Sequence, residues 1–585
     1  MLEFNTLVDV LCHRAQTQDD KSAFTFLNSE LEPVQHLSFK TLRQQAARYA
    51  QALIEAGALN DGAQARALLV FSPGLDFVAA FFGCLMAGVV AIPVTAPRKN
   101  ASWERLALVV SDSSAGFVLG EKEIFDDLDR RGAGCLTSLC WITPEHAADV
   151  DPAVFSGPVV KPGNLAMLQY TSGSTGQPRG VMLSHRQLMA NSRAIAHAVN
   201  PTVSDIGMIW LPPHHDMGLI GGILQPVYVG IHCYLMSPSA FLQRPVRWLE
   251  AVSRYRATIT AAPNFAYDLC VRRVSDEQLA QIDLSSVKVL LNGAEPIHAP
   301  TLAEFSRKFV KCGFAAEALM PCYGLAEATL LVSSRLRGQG LRQQAFSRSG
   351  LSVGAMMPAK ENDPAVQLLV SAGRVDPDID LLIVDPLSRV PCISGQVGEI
   401  WLRGETVGLG YWNNESATRE TFAAMLGKSW HSTAADDNRP WLRTGDLGAL
   451  HDQELWVTGR VKDVIIIRGQ NHYPQDIENT VLQAHEALWQ SMAVAFSVQL
   501  EDAEGLVVVV EVHRHVPPAL LNDIENKVRA AVSLHHQLTL HRITFVRQAS
   551  LPKTTSGKVQ RRLTRSCWHH DTLNIVQRQS CRTEA

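Results

Sequence analysis

Residues 169–185 read QYTSGSTGQPRGVMLSH, a short run holding three glycines, five serine or threonine hydroxyls and one arginine. Backbone N–H groups in a glycine-rich turn such as Gly173 to Gly176 can converge on anionic oxygens. The hydroxyls of Thr171, Ser172, Ser174 and Thr175 add donors, and Arg179 supplies a permanent positive charge. Phosphate is the ligand such a loop suits. It is not the G-x-x-x-x-G-K-[ST] loop, because no glycine stands five residues before a lysine. Taken alone, a stretch of this composition is more often a flexible surface loop.

Five further stretches carry residues able to do chemistry: NGAEP from Asn292, YGLAEATL from Tyr323, LRTGDLG from Leu442, VTGRVKD from Val457 and LPKTTSGKVQRR from Leu551. The last four have ordinary structural readings as well: a capping glutamate at Glu327, a turn aspartate at Asp446, a surface basic pair at Arg460 and Lys462, a solvated lysine at Lys558. Together with the loop, their order and spread over about residues 10–565 closely resemble the adenylate-forming superfamily of acyl-CoA synthetases, luciferases and peptide-synthetase adenylation domains. LPPHHDMGLIGG (211–222), PNFAYDLCV (263–271), CYGLAEATLLVS (322–333) and IIIRGQNHYPQDIE (465–478) resemble, within it, the fatty acyl-AMP ligases.

The resemblance implies a reaction: a medium- or long-chain fatty acid and ATP, with Mg²⁺, give fatty acyl-AMP and pyrophosphate. The acyl group then moves to the phosphopantetheine thiol of an acyl carrier protein of the polyketide or peptide synthase type, expected on a separate polypeptide. A long-chain acyl-CoA synthetase is the alternative. The same resemblance assigns roles. Lys558 lies between carboxylate and α-phosphate, Glu327 holds the metal, and His215 borders the acyl pocket near the carboxylate. Tyr323, in the run Gly324, Leu325, Ala326, faces Gly293, Ala294 and Glu295 after Asn292 to form a slot for the purine. Asp446 and Arg460 contact the ribose, and Lys462 is the hinge of a turning small domain. Arg179 stands where the superfamily usually has lysine, which keeps the charge and changes the fork geometry. The 119 residues from Glu327 to Asp446 exceed the usual interval, and the excess around 341–370 resembles the ligases' insertion. There Phe346, Leu351, Met356, Met357 and Leu368 are expected to anchor the segment and restrain the small domain.

Elements must position these residues. KVLLN (288–292), DLLIV (380–384) and VGEIWLRG (397–404) read as strands and 245–255 as a helix, so the body is α/β. From about residue 462 a second pattern begins, with a strand at 506–512 and a helix at 520–532. The expected organisation is a large multi-lobed adenylate-forming domain over 1–461 and a small mobile α+β domain over 462–585. The apolar run 78–94 is bounded by Asp76, interrupted by Gly83 and Gly88 and has Pro93 near its other end, which favours a buried helix and short strand over a membrane span. His214 and His215 on an extended segment would face opposite ways, and with no H-E-x-x-H pattern or cysteine partner they do not form a metal site. The alkyl chain is expected among residues following His215, in 230–242 and around Phe265 and Tyr267.

A formal charge of −4 and 19% charged residues give no reason to expect nucleic acid or an anionic membrane as the main partner. Eleven cysteines without a C-x-x-C pair are expected to be buried thiols, not a disulfide framework. The first residues combine acidic side chains with an amphipathic helical pattern and lack a signal-peptide pattern, so a cytoplasmic location is expected. The last fifteen or so residues, rich in Arg, Gln and Ser, read as a loose tail.

Overall fold

The apolar run at 78–94 becomes helix Asp76–Met86 followed by strand Val90–Pro93, and after Asp76 every residue of the two is buried. In this computed structural model the described residues are 4–578, except 61–63, 98–101, 172–177, 361–362, 364–365, 428–438, 468–469, 490, 501–503 and 554–558. The strand enters a six-stranded sheet ordered Cys140–Ile142, Phe117–Gly120, Arg66–Val70, Val90–Pro93, Leu165–Thr171, Arg179–Ser184. Its neighbours pair in parallel up to the last pair, which is antiparallel. A nine-stranded sheet lies beyond it, with a parallel centre of Leu319–Gly324, Val289–Asn292, Ile259–Ala262, Ile206–Ile209 and His232–Met236. Strands of this kind, buried on both faces, are near-continuous apolar runs, and ligands bind beyond their carboxyl ends. Asn292, Tyr323 and Gly324 stand at two such ends.

A four-stranded antiparallel sheet of Ile379–Val384, Gly398–Gly404, Leu442–His451 and Glu454–Arg460 follows. Its last hairpin sets Asp446 directly opposite Arg460, with a register shift at Leu447 and Gly448. That pairing explains how two residues fourteen apart come together. The segment 341–370 forms strands Gln343–Ser347 and Val366–Val370, antiparallel, with helix Arg348–Ser352 between them. Phe346, Leu351 and Met356 are buried with Ala449, Trp456 and Tyr473. Met357 and Leu368 are not part of that anchor: both are exposed, and Leu369 takes the inward position instead. The strand alternates faces, so only every second residue of it can point inward.

From Ile465 onward a separate core gathers Ile477, Val481, Val508, Val510, Val528, Ile543 and Phe545. It lies between helices Pro474–Gln483 and Leu521–His536 and a sheet of Ala493–Gln499, Glu504–Val512, Leu540–Arg547 and Ile575–Arg578. The last of these strands corrects the reading of a loose tail for residues 575–578, while 579–585 lie outside the described residues. Ile575–Arg578 pairs antiparallel with Leu540–Arg547, because an open strand edge supplies backbone partners to a segment of unpromising composition. Cysteine burial is also mixed. Cys84, Cys233, Cys270 and Cys312 are buried, whereas Cys135 and Cys140 are exposed, on a four-residue helix and on the sheet's outermost strand. Among the described residues no helix is long and apolar enough to cross a membrane.

Candidate active site

Glu327 lies in a tight turn between strands Leu319–Gly324 and Leu331–Ser334. Gly324 makes the turn possible: a Cβ there would fall 1.8 Å from the Leu330 carbonyl oxygen. Thr329 adopts φ 70°, ψ −66°, and the Leu330 N–H donates to the Ala328 carbonyl at 2.9 Å. This is the strained γ-turn, which a β-branched residue seldom occupies. Its surroundings hold it there. The Thr329 hydroxyl donates to Thr406 O at 2.6 Å, the Gly408 N–H donates to Glu327 O at 2.8 Å, and the buried Asn191 amide both donates to Leu331 O and accepts from Leu331 N–H.

The Glu327 carboxylate accepts from the Tyr411 hydroxyl at 2.8 Å, and the Arg179 guanidinium stands 5.3 Å from the centre of the Tyr411 ring. Enclosure raises the Glu327 carboxyl above the ordinary carboxylate range, while the Tyr411 hydrogen bond and the Arg460 charge act to keep it ionised. Asp446 is 6% exposed. One of its oxygens accepts from the Tyr323 hydroxyl at 2.9 Å and the other from Arg460 Nε at 2.9 Å. The Asp446 carboxylate raises the Arg460 guanidinium still further above its ordinary value. Two carboxylates, two arginines and two tyrosines thus meet where three sheets join.

Beside them Asn292 is fully buried, and neither atom of its amide has a partner. Gly293 packs so tightly on Cys322 that a Cβ would lie 2.7 Å from its sulfur, and Ala294 has φ 69°. A buried amide with open donor and acceptor, beside a strand end too close for side chains, fits the edge of a planar heterocycle. Glu295 has another partner: its carboxylate accepts from the Phe265 N–H at 2.6 Å, in the first turn of helix Asn264–Arg273. Leu325 is half-buried and Ala326 buried in this turn region.

Thr171 and Arg179 pair directly across the hairpin of strands Leu165–Thr171 and Arg179–Ser184. Ser172, Gly173, Ser174, Thr175 and Gly176, and likewise Lys558, lie outside the described residues. Lys462 is exposed in a turn. On one side of it Val461 N–H donates to Gly445 O at 2.9 Å, and on the other Asp463 accepts from Arg561 at 2.9 Å.

His214 and His215 form a turn, not an extended segment, and their ring centres are 4.8 Å apart, so they do not face opposite ways. The π-helix Met217–Leu224 begins just after this turn and draws the chain round. Burial pushes the His214 imidazole down to about 3, which keeps it neutral. Among the described residues no cluster of three or more His, Cys, Asp or Glu could hold a metal.

Below Tyr323, Gly324 and Ala294 opens a mostly apolar cavity with about 970 Å³ of space free of atoms, its mouth included. Met217, Gly221, Ile231, Cys233, Leu330 and Leu331 are on its wall, as are Ile195 and Val199 of helix His185–Val199. The expectation of a pocket after His215 and at the start of 230–242 holds for Asp216, Met217, Ile231 and Cys233. It fails for Phe265 and Tyr267. Both belong to an aromatic core with Trp210, Phe241, Trp248 and Phe305, and the Tyr267 hydroxyl donates to Leu291 O. Sequence reasoning also missed Tyr411 and Asn191. Tyr411 sits in the run LGYW, which marks no chemistry by itself, and Asn191 is one of several buried polar residues of helix His185–Val199.

The sequence model of the AMP-binding enzyme family matches residues 11–412, and that of the Disco-interacting protein 2-like AMP domain matches residues 462–578. The chain belongs to the AMP-binding enzyme family. More particularly, it is 40% identical, over 98% of its length and 96% of the relative's, to the medium-chain-fatty-acid–[acyl-carrier-protein] ligase JamA of Moorena producens. It is 35% identical, over 96% and 93%, to the ligase of the same description, TtuA, of Teredinibacter turnerae. The fatty acyl-adenylate ligase of L. pneumophila, solved in complex with acyl adenylate and pyrophosphate, superposes with a TM-score of 0.75 at 38% identity, covering 99% of this chain and 98% of that one.

Proposed function

We propose that this protein activates a medium- or long-chain fatty acid with ATP, giving fatty acyl-AMP and pyrophosphate, and passes the acyl group to the phosphopantetheine thiol of a separate acyl carrier protein. The observation that carries this reading is an apolar cavity whose wall includes Tyr323, the residue whose hydroxyl donates to Asp446. A fatty chain enters the cavity and its carboxylate emerges among charged groups. The names of the two carrier-protein ligases, and of the L. pneumophila complex, support the same reaction.

In this reading the Asn292 amide and the strand end at Gly293 and Ala294 take the adenine edge, with Tyr323 at its face and Glu295 bracing the neighbouring helix. Asp446 keeps lone pairs free for ribose hydroxyls after serving Tyr323 and Arg460, since an ionised carboxylate offers about four acceptor positions. The loop from Thr171 to Gly176, with Arg179, grips phosphate oxygens. Bringing a carboxylate to about 4 Å from the α-phosphate costs roughly 4 kcal/mol at an effective dielectric of 20. Lys558 offsets that repulsion as the new bond forms. Glu327, held by Tyr411, is the residue to hold Mg²⁺, which when bound neutralises charge on the departing pyrophosphate. His215 borders the carboxylate beside Asp216 and Met217 of the cavity wall.

We divide the chain at 461/462, with Lys462 as the hinge between the anchors at Val461 and Asp463. The segment 341–370 bears on the choice of acceptor. Arg348 donates to His536 Nδ1 at 3.2 Å, and His536 Nε2 meets the Thr480 hydroxyl at 2.7 Å. The Arg348 bond joins the segment to the small domain, the Thr480 bond fixes the His536 ring that receives it, and together they resist the rotation that would admit coenzyme A. The cytoplasm, where ATP and holo-carrier proteins meet, is the compartment the reading implies. The purified protein is expected to make labelled acyl-AMP, acylate a holo-carrier protein and give little acyl-CoA. Shortening 341–370 is expected to raise acyl-CoA formation. Acyl-CoA formation by the wild type at the rate of adenylate turnover would replace this reading with that of an acyl-CoA synthetase.

A further inference from the structure

The cavity wall includes one side chain that suits a plain alkyl chain poorly. Gln225 lines the cavity with Ile195, Val199 and Val229, and it is 7% exposed. It begins helix Gln225–Val229, which continues the π-helix Met217–Leu224 without a break. Its Nε2 donates to the Ser192 carbonyl at 3.2 Å. That bond fixes which way the amide points, because the flipped amide would set two carbonyl oxygens against each other. Oε1 is therefore left over, buried and without a partner, and so is the Ser192 hydroxyl. Ser192 lies on the helix face of Ile195 and Val199, one turn before Ile195, and of the two residues with an open polar atom only Gln225 is on the cavity wall. Thr260, also on the wall, is a useful contrast: its hydroxyl donates to Met208 O and accepts from Trp248 Nε1.

A buried acceptor without a donor opposes folding, and methionine or leucine would fill the same volume without that penalty. An alkyl chain brings no donor, whereas a hydroxylated chain does. We propose that Gln225 is a specificity residue for the acyl chain, and that the preferred fatty acid carries a hydroxyl on its distal part, donated to Gln225 Oε1. The proposal rests on the acyl-adenylate reading above. Met217, near the carboxylate end, and Gln225 are about two helical turns apart, so the hydroxyl belongs several carbons from the carboxylate and not beside it.

The test uses the full-length protein, ATP and a series of medium-chain acids: the unsubstituted acid and isomers carrying one hydroxyl at successive carbons. Pyrophosphate release and acyl-AMP are both measured. One distal isomer is expected to exceed its neighbours in kcat/KM by about tenfold or more, the scale of one net hydrogen bond. Gln225→Leu and the closer isostere Gln225→Met are expected to lower the ratio of that isomer to the unsubstituted acid by at least about tenfold, with thermal unfolding checked for each. If neither variant folds, the wild-type series alone decides. Turnover of the unsubstituted acid with a uniform penalty for hydroxyls at every position overturns the proposal and leaves the acyl-adenylate reading standing. Absence of acyl-AMP from every acid removes both.

Discussion

Around Glu327 and Asp446, donors arrive from separate elements: Tyr411 from a loop, Tyr323 from the nine-stranded sheet, Arg460 from the end of the antiparallel sheet. On the other side of Tyr323, the cavity from Met217 to Val199 is bounded by helices and strands packed for their own core. The polar end is assembled by tertiary convergence and held by directional bonds, down to a strained turn at Thr329. The apolar end is what close packing left empty. Directional bonds tolerate little displacement, while an apolar wall tolerates exchange of side chains of similar volume. Changes at the polar end should therefore act on rate and cofactor dependence, and changes in the cavity on which chain is used.

The largest expected effect is at Lys558. Lys558→Ala should leave folding and ATP binding largely intact and lower adenylate formation by about 10² to 10³, as when one electrostatic contact to a transition state is lost. Its order of preference among fatty acids should not change. Wild-type pyrophosphate release from a folded variant would remove Lys558 from the reaction.

A smaller effect is expected at Glu327. Glu327→Gln keeps the shape and loses the charge, so the Mg²⁺ concentration for half-maximal activity should rise by roughly tenfold, about 1.4 kcal/mol. Tyr411→Phe tests the same carboxylate by pH. In the proposed metal-holding role the group acts ionised; its pKa already lies above the ordinary carboxylate range, and the Tyr411 bond lowers it. Activity should therefore fall as pH drops through that raised value, and removing the hydroxyl should move the acid limb of the pH–rate profile to higher pH. An unmoved limb and unchanged Mg²⁺ dependence would make Glu327 a structural residue.

The smallest effect on rate is expected in the cavity. A Cβ on Gly221 would make only ordinary contact with Leu330, at 3.6 Å, so Gly221→Leu can extend into the lumen. Activity with short chains should persist, while kcat/KM for longer chains falls about tenfold, the equivalent of roughly two methylene groups that no longer fit. Equal losses for all chain lengths would show that the cavity is not where the chain lies.

Much of the fold was readable because apolar runs report burial directly. The expected helix at 245–255 is helix Val246–Arg254, and the strands expected at 288–292, 380–384, 397–404 and 506–512 are Val289–Asn292, Ile379–Val384, Gly398–Gly404 and Glu504–Val512. The misreadings share a cause. Phe265 and Tyr267 are apolar in the same way whether they line a cavity or fill a core, and only the packing of Trp248 and Phe305 around Tyr267 decides. Leu368 and Leu369 differ in burial by strand phase, which the pairing with Gln343–Ser347 sets. Ile575–Arg578 became a strand because a neighbouring edge was open.

Residue type and order were enough to read the chemistry on offer: a hydroxyl-rich loop with an arginine, carboxylates at Glu327 and Asp446, a lysine at 558, and the family to which their order belongs. Those are local properties of residue type and spacing, and they survive without coordinates. Tertiary structure alone decided that Tyr411 grips Glu327 across 84 residues, that Tyr323 and Arg460 share one aspartate, and that Gln225 stands with an open acceptor beside a helix begun forty residues earlier. Such meetings depend on strand register and on how helices pack, which are set by the whole core and not by any segment that contributes to it.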